Sequence, residues 1–352
     1  MKLIHASALS LGVAMTLLLP ASSQAAGAET AEELFERFSG TSALFENTFS
    51  VAHGTNFDPV YNREWTQIRR LNLRLSPVDE LSLSAGIGIQ RFLFETWTTL
   101  ENETLWEDLT LGATMTVPTP ELPSGADFPL YGAFGVETSL PTSKASRAET
   151  LIVSPAVWGE GAVTVPLLDG WSWGYRFTAA PRIHEFTTYA YAAARPCSPS
   201  TGCSLGASTD TGWLNTKLQL THGAYTSITT LKEMLSFTVS MDVVYGFLYD
   251  KSPSTRWSED ILSTPGNPQG GTPTNLTSSF IVDLTLSPHE SFAVGVGLWT
   301  PGSFRPNGGW YNPIANRWTQ VYVDLTFYPV EFGLGVASLA KNAAAKKAAS
   351  TD

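Results

Sequence analysis

Charge and cysteine are both scarce in this chain of 352 residues, in which 15% of side chains are charged and only two are cysteine. Soluble domains usually carry about 25% charged residues, so the composition argues against an ordinary soluble surface. Two cysteines are too few for a small domain built on disulfides. Beyond the first 20 residues the chain also lacks long apolar runs. This excludes a bundle of membrane helices, each of which needs about 20 apolar residues.

Basic residues are the scarcer charge, because 21 Lys and Arg face 32 Asp and Glu for a net charge of −11. No nucleic-acid partner is expected, since neutralising phosphates requires a basic surface. A hydrophobic share of 43% argues against a disordered chain. The 29 glycines, the 11% aromatic residues and a mean hydropathy of −0.01 favour a β-rich chain with one apolar and one polar face.

The first 25 residues have the three parts of a secretory signal peptide. Lys2 is basic, residues 9–19 are apolar, and Ser23-Gln24-Ala25 forms a cleavage site of small residues. We therefore predict that residues 1–25 are removed after Ala25 and that the rest is exported.

The two cysteines, Cys197 and Cys203, bracket a Pro- and Gly-containing loop. In an oxidising compartment they are expected to form a local disulfide, with two free thiols as the alternative.

Strict alternation of apolar and polar residues dominates the exported chain. In 235–249, for example, Phe237, Val239 and Met241 alternate with Thr238 and Ser240. A period of two predicts β-strands with one apolar face. Only 29–38 has a helical pattern, which places a short periplasmic or plug-like helical segment in 26–44. The predicted strands are 45–55, 65–75, 81–94, 108–117, 128–140, 151–165, 171–187, 213–226, 235–249, 276–286, 291–299 and 317–328.

Short and long connections alternate along these strands. The turns at 76–80, 166–170 and 287–290 are short and contain Pro, Gly or Asp, as tight turns require. The alternate connections are long and polar: 95–107, 141–150, 188–212, 250–275 and 300–316. One turn, 118–127, is longer than ideal. Strands of 9–11 residues cross a bilayer, and membrane barrels have short periplasmic turns and long external loops.

The sequence therefore predicts an all-β fold, a transmembrane antiparallel up-and-down β-barrel of about twelve strands in 45–328. Large apolar side chains would face lipid, while Ser, Thr, Gly and occasional charges would face a lumen. Tryptophans near strand ends are expected to form interfacial girdles. The girdle residues would be Trp65, Trp106, Trp171, Trp173, Trp213, Trp299 and Trp318.

The last strand carries a recognisable pattern. Val321, Val323, Leu325 and Phe327 alternate with polar residues before Tyr328. The chain thereby resembles the outer-membrane β-barrels of two-membraned bacteria. That resemblance implies residence in the outer membrane, contact with its lipid, and insertion by the barrel-assembly machinery.

Two further segments bear on this resemblance. The tail 329–352 departs from the family pattern and could hold a short extra strand at 330–339. Residues 136–143 are similar to a strand-to-loop passage of outer-membrane transporters associated with aromatic-compound degradation.

Inward charges are the candidates for function. Extending the alternation gives acids and bases on separate groups of strands, which would set a transverse field for polar solutes. The pore-lining candidates are Arg70, Arg74, Asp108, Glu137, Glu160, Arg176, Arg182, His184, Lys217, Asp242, Asp283 and Asp324. The expected function is passive transport of small polar solutes through a pore or gated channel.

Two other functions remain open at this stage. The barrel could be a non-conducting structural, ligand-binding or adhesive protein that acts through its external loops. It could also be a lipid hydrolase, with His184 and Ser172 on one face. No metal or cofactor motif is found in the sequence, and no cofactor is expected.

Overall fold

The computed structural model describes residues 31–50, 65–93, 103–117, 130–165, 168, 170–186, 188–190, 210–249, 274–303, 312–316 and 319–349. Residues 1–36 form one unit, in which helix α1 (Ala31–Glu36) lies inside the helical pattern noted at 29–38. Residues 37–352 form the second unit. Within these ranges, no helix combines the length and apolarity needed to cross a membrane.

The second unit is built from antiparallel strands. In chain order these are β1 (Ser42–Ser50), β2 (Trp65–Val78), β3 (Leu81–Phe92), β4 (Thr104–Trp106), β5 (Leu109–Val117), β6 (Leu130–Leu140), β7 (Leu151–Thr164), β8 (Trp171–Pro181), β9 (Ile183–His184), β10 (Thr188–Ala190), β11 (Asp210–Leu214), β12 (Thr216–Thr230), β13 (Leu235–Leu248), β14 (Thr274–His289), β15 (Phe292–Ser303) and β16 (Gln320–Phe327). The short strands β4 and β9 pair with β3 and β7, while β10 and β11 pair with each other.

The remaining strands, twelve within the described residues, close into a barrel. Each pairs with its neighbour along the chain, and β1 pairs with both β2 and β16. The closing register places Ala43 opposite Phe327 and Ser50 opposite Gln320. A closed ring leaves no unpaired strand edge, and an unpaired edge could not be satisfied in lipid. The predicted antiparallel β-barrel of about twelve strands is confirmed.

Short turns join the strands at one end of the barrel. Two residues, Asp79 and Glu80, connect β2 to β3, and Glu290 and Ser291 connect β14 to β15. The turn at 231–234 joins β12 to β13. We call this end of the barrel the turn end, and the opposite end the loop end. At the loop end, the connection 141–150 contains the short helix α2 (Lys144–Ala148), which Ser143 caps by accepting the N–H of Ser146 at 3.0 Å.

The expectation of an extra strand at 330–339 was wrong, because this segment begins helix α3 (Pro329–Ala349). Strand β16 is already paired on both sides, with β1 and β15, so a further strand would find no free edge. A proline at the first helical position and an Ala-rich continuation both favour a helix instead. The side chain of Glu331 then accepts hydrogen bonds from Ser39 Oγ and Gly40 N, each at 2.8 Å, at the turn end.

Candidate functional site

The two faces of the barrel differ in chemistry. Large apolar side chains such as Phe134 (50% exposed) and Val157 (56% exposed) point outward. The alternate positions carry the polar and charged residues of the strands and point inward. We call this inward surface the inner wall. With about 4.8 Å between strands and a tilt of about 40°, twelve strands give a backbone diameter of roughly 24 Å. Side chains of about 5 Å from each side leave roughly 14 Å between opposite walls.

One part of the inner wall surrounds a cavity of about 890 Å³. Its acidic residues are Glu46, Asp283 and Asp324, on β1, β14 and β16. Glu46 and Asp324 are direct cross-strand partners, so two like charges lie side by side. Tyr322 donates its hydroxyl to Asp283 at 2.7 Å, and Thr48 donates to Glu46 at 2.7 Å. This acidic cluster is therefore held in place by neutral donors, and its charges are not neutralised by an ion pair with any described residue.

A second part of the inner wall, centred on β7 and β8 and three to six strands around the ring from the acidic cluster, is mixed in charge. Arg176 on β8 is the cross-strand partner of Glu160 on β7. Its guanidinium lies 4.8 Å from the ring centre of Trp158, a cation–π contact. Tyr225 donates to Glu160 at 2.7 Å. Asp242 is separated from Arg176 by Gly223, whose missing side chain leaves room for the Asp242 carboxylate.

An ion pair stands at the loop end of the cavity. Arg70 contacts Glu107 through Nε at 2.5 Å and through Nη2 at 2.7 Å, and Gln90 also donates to Glu107 at 2.6 Å. Asp108 instead accepts from the backbone N–H of Ser143 and from Ser146 Oγ. It therefore anchors the connection that contains α2.

A second network forms the loop-end rim near β9. Arg182 pairs with Glu149 at 2.6 Å. His184 contacts the carbonyl oxygens of Glu149 at 2.7 Å and Thr216 at 3.1 Å. Asn215 donates to the same Glu149 carbonyl at 2.7 Å. Arg182 and His184 thus tie the connection 141–150 to neighbouring strands at the rim.

The structure separates His184 from Ser172. Ser172 lies at the start of β8 and contacts Ser227 Oγ at 2.8 Å near the turn end, whereas His184 lies at the loop end. Their separation of twelve residue steps corresponds to roughly 40 Å of wall at about 3.3 Å per residue. The two side chains are therefore too far apart to act as a catalytic pair, the arrangement that the lipid-hydrolase alternative requires. The described residues also contain no group of three His, Cys, Asp or Glu that could hold a metal ion.

Three other predicted pore-lining residues lie at separate places. Glu137 is exposed on the inner wall beside Gly112. Arg74 lies at the turn end, where its side chain packs against Gly40. Lys217 lies at an irregularity between Thr216 and Leu218 and is exposed. Their roles in a pore stay predictions.

The predicted tryptophan girdle divides between the faces. Trp65 and Trp106 point outward at the loop end, and Trp171 and Trp173 point outward at the turn end. Trp299 differs from the expectation, because it lies on the inner wall and donates to Ser279 at 2.8 Å. The side chains of Trp213 and Trp318, together with Cys197 and Cys203, lie outside the described residues.

Several inner-wall residues were not among the predicted candidates. Glu46 lies inside the predicted strand 45–55 but is not among the predicted inward charges, and β1 begins three residues earlier, at Ser42. Its alternation with Leu44 and Thr48 was the available signal. Glu107 falls in the predicted external connection 95–107. Trp158, Tyr225 and Tyr322 are not among the predicted candidates, although each contacts an inward charge.

Comparison with known proteins gives structural likeness only. No family model matches the chain, and no curated protein matches it. An outer-membrane channel from Pseudomonas putida F1 shares 13% identity at a TM-score of 0.48, over 88% of this chain and 98% of that one. The NanC porin shares 9% at 0.41, over 82% and 99%. LpxR from Salmonella typhimurium shares 14% at 0.37, over 82% and 100%.

Likeness at these identities and TM-scores carries no conclusion about the function of this chain.

Proposed function

We propose that this protein is a passive channel for small polar solutes in the outer membrane. The observation that carries the proposal is the charged inner wall around a cavity of about 890 Å³. Ionised side chains inside a filled barrel would need partners, because an unpaired buried charge is costly. Here Glu46, Asp283 and Asp324 have neutral donors or each other as neighbours, which suits a wall in contact with water.

The wall also has an electrostatic pattern that suits solute passage. The acidic cluster on β14, β16 and β1 lies three to six strands around the ring from Arg176 on β8. Such a transverse arrangement orients polar solutes and favours one sign of charge. A narrow polar passage of this kind selects by charge and size without a dedicated binding site.

The outer membrane is the location that fits this barrel. The outward face is apolar along the strands, and β16 ends in Phe327, followed by Tyr328. Under this proposal residues 1–25 direct export, the barrel-assembly machinery inserts the barrel, and the turn end faces the periplasm. Helix α3, whose Glu331 contacts Ser39 and Gly40 at the turn end, then lies on the periplasmic side.

A barrel that acts through its loops is the second candidate. The observation in its favour is the rim network, in which Arg182, His184 and Asp108 fix the connection 141–150 in a defined conformation. A fixed external loop is suited to contact a partner. This function requires no conduction through the lumen.

A conductance measurement distinguishes the passive channel from the barrel that acts through its loops. The full exported chain, refolded and inserted into planar bilayers, is expected to give discrete conductance steps. A shift in gel migration between unboiled and boiled samples would show that the same preparation is folded. Folded protein that never conducts, yet binds a ligand through its loops, would contradict the channel and favour the second function.

A further inference from the structure

Two arginines interrupt an outer face that is otherwise without charge. Among the regularly alternating outward positions of the twelve described barrel strands, the only ionised side chains are Arg69 on β2 and Arg91 on β3. Leu73 and Ile87, on the same faces of the same strands, are 38% and 39% exposed. Both arginines are themselves exposed. Two adjacent exceptions on one outer face call for a common cause.

The two arginines are neighbours across one strand pair. Arg69 is opposite Ile89 and Arg91 is opposite Gln67, so the arginines form a diagonal pair on β2 and β3. Diagonal neighbours lie about 7–8 Å apart, within reach of long side chains. Together with Thr104 these residues line a small cavity of about 100 Å³. We call these five residues the arginine patch.

The arginine patch lies at the upper boundary of the apolar belt. Arg91 is ten residues beyond Leu81, the first residue of β3, which corresponds to about 25 Å along the barrel axis at a 40° tilt. Membrane barrels have an apolar band about 25 Å tall. Trp65 and Trp106 border the patch, as aromatic residues do at a membrane interface. At this depth an outward arginine costs little free energy, and this is where lipid headgroups lie.

The chemistry of the arginine patch matches phosphate. A guanidinium binds phosphate through two parallel hydrogen bonds, and an amide such as that of Gln67 can add another. Arg69 forms no ion pair with any described residue, in contrast to Arg70 on the inner wall and Arg182 at the loop-end rim. Its charge is therefore available to a ligand in the membrane.

We propose that Arg69 and Arg91, with Gln67, bind the phosphate of a phosphorylated lipid in the leaflet at the loop end. In the orientation proposed above, that lipid is the bisphosphorylated glycolipid of the outer leaflet. The site is independent of conduction, because the arginine patch faces away from the lumen.

Lipid binding can be counted on the intact barrel. Full-length exported protein in detergent is titrated with bisphosphorylated lipid A and the bound lipid is counted by native mass spectrometry. The double variant Arg69→Gln/Arg91→Gln is expected to lower the affinity at least about tenfold, because two charge-assisted contacts are lost. The lipid affinity of the double variant Arg69→Lys/Arg91→Lys should lie between those of the parent and the double Gln variant. Lysine keeps the positive charge but cannot form the two parallel hydrogen bonds of a guanidinium.

The controls distinguish this site from charge in general and from folding defects. Arg147→Gln removes one exposed positive charge from α2 and should leave lipid binding unchanged. Single-channel conductance of the double Gln variant should equal that of the parent, which also shows that it folds. Parental lipid affinity in the double variant would overturn the proposal. Displacement of the lipid by an equal concentration of inorganic phosphate would overturn its assignment to lipid.

Discussion

The outward histidine at position 222 shows how a single polar residue is accommodated on a lipid-facing surface. His222 Nδ1 and Tyr175 Oη are 2.5 Å apart, and Phe177 and Tyr245 pack their rings around the imidazole. A polar group in hydrocarbon needs a protein partner because no water is available. The Tyr175 hydroxyl supplies that partner in the neighbouring strand.

This contact predicts a measurable coupling between the two side chains. We expect Tyr175→Phe, His222→Leu and the double variant to give a coupling energy of about 0.6–1.7 kcal/mol, the range found for hydrogen bonds in membranes. Urea unfolding from phospholipid vesicles provides the measurement. Tyr245→Phe with His222→Leu is the matched control, since Tyr245 meets the imidazole only through an edge-on ring contact. A Tyr175 coupling no larger than the Tyr245 one would contradict the role of the hydrogen bond.

Alternation predicts which face a residue occupies, whereas its partners depend on register. Glu137, Glu160 and Asp283 were placed inward from the sequence, and their strands do face them inward. The pairing of Glu46 with Asp324 could not be predicted, because it depends on which strand closes the ring on β1. Trp299 was placed in the girdle because it lies near a strand end. Its place in the inward–outward alternation of β15, which puts it on the inner wall, was not used.

The turn between β12 and β13 contains the clearest backbone strain in the barrel. Leu231, Lys232 and Glu233 have φ values of 54°, 55° and 69°, the left-handed region that glycine adopts without cost. Because glycine relieves the steric clash there, Lys232→Gly is expected to stabilise the barrel by about 0.5–1 kcal/mol. Urea unfolding in vesicles would measure the change.

Thr230→Gly is the matched control for this turn. Thr230 pairs with Leu235 at the end of the same strand and does not have a positive φ. Glycine there should destabilise by about 0.5–1 kcal/mol, because it adds chain entropy without relieving strain. Loss of stability in both variants would show that the left-handed conformation is not costly in this turn.

Strand positions could be predicted at the element scale, and the tail could not. Every barrel strand lies within a few residues of its predicted range, because period-two patterns of this length leave little choice. For 330–339 the local pattern allowed either strand or helix. The segment is a helix because the closed ring offers no free edge to a further strand. A local sequence pattern does not contain that information.

Closure of the ring, a property of the whole molecule, determines which charged residues lie together on the inner wall. Only a closed ring of twelve strands brings β1 next to β16 and so places Glu46, Asp283 and Asp324 in one cavity. Around this ring Arg176 lies three strands from Asp283, five from Asp324 and six from Glu46. Acidic residues outnumber basic ones on the described inner wall: Glu46, Glu107, Glu137, Glu160, Asp242, Asp283 and Asp324 against Arg70, Arg74, Arg176 and, at an irregular position, Lys217.

This imbalance predicts a channel that prefers cations. Under a KCl gradient at low ionic strength, the reversal potential should show cation preference, because acidic walls raise the local cation concentration. The triple variant Glu46→Gln/Asp283→Asn/Asp324→Asn should move the permeability ratio several-fold towards unity. The preference should fade near 1 M salt, where the Debye length is about 3 Å and small compared with a passage of roughly 14 Å.

A matched triple variant tests whether position or total charge sets this preference. Asp79→Asn/Glu80→Gln/Glu290→Gln removes the same number of acids from the turns at the turn end, outside the inner wall. It should keep the parental permeability ratio, because charges in open solvent are screened by water and salt. If both triple variants shift the ratio equally, net charge controls selectivity and the acidic cluster has no special role. If neither shifts it, ions do not pass along this wall.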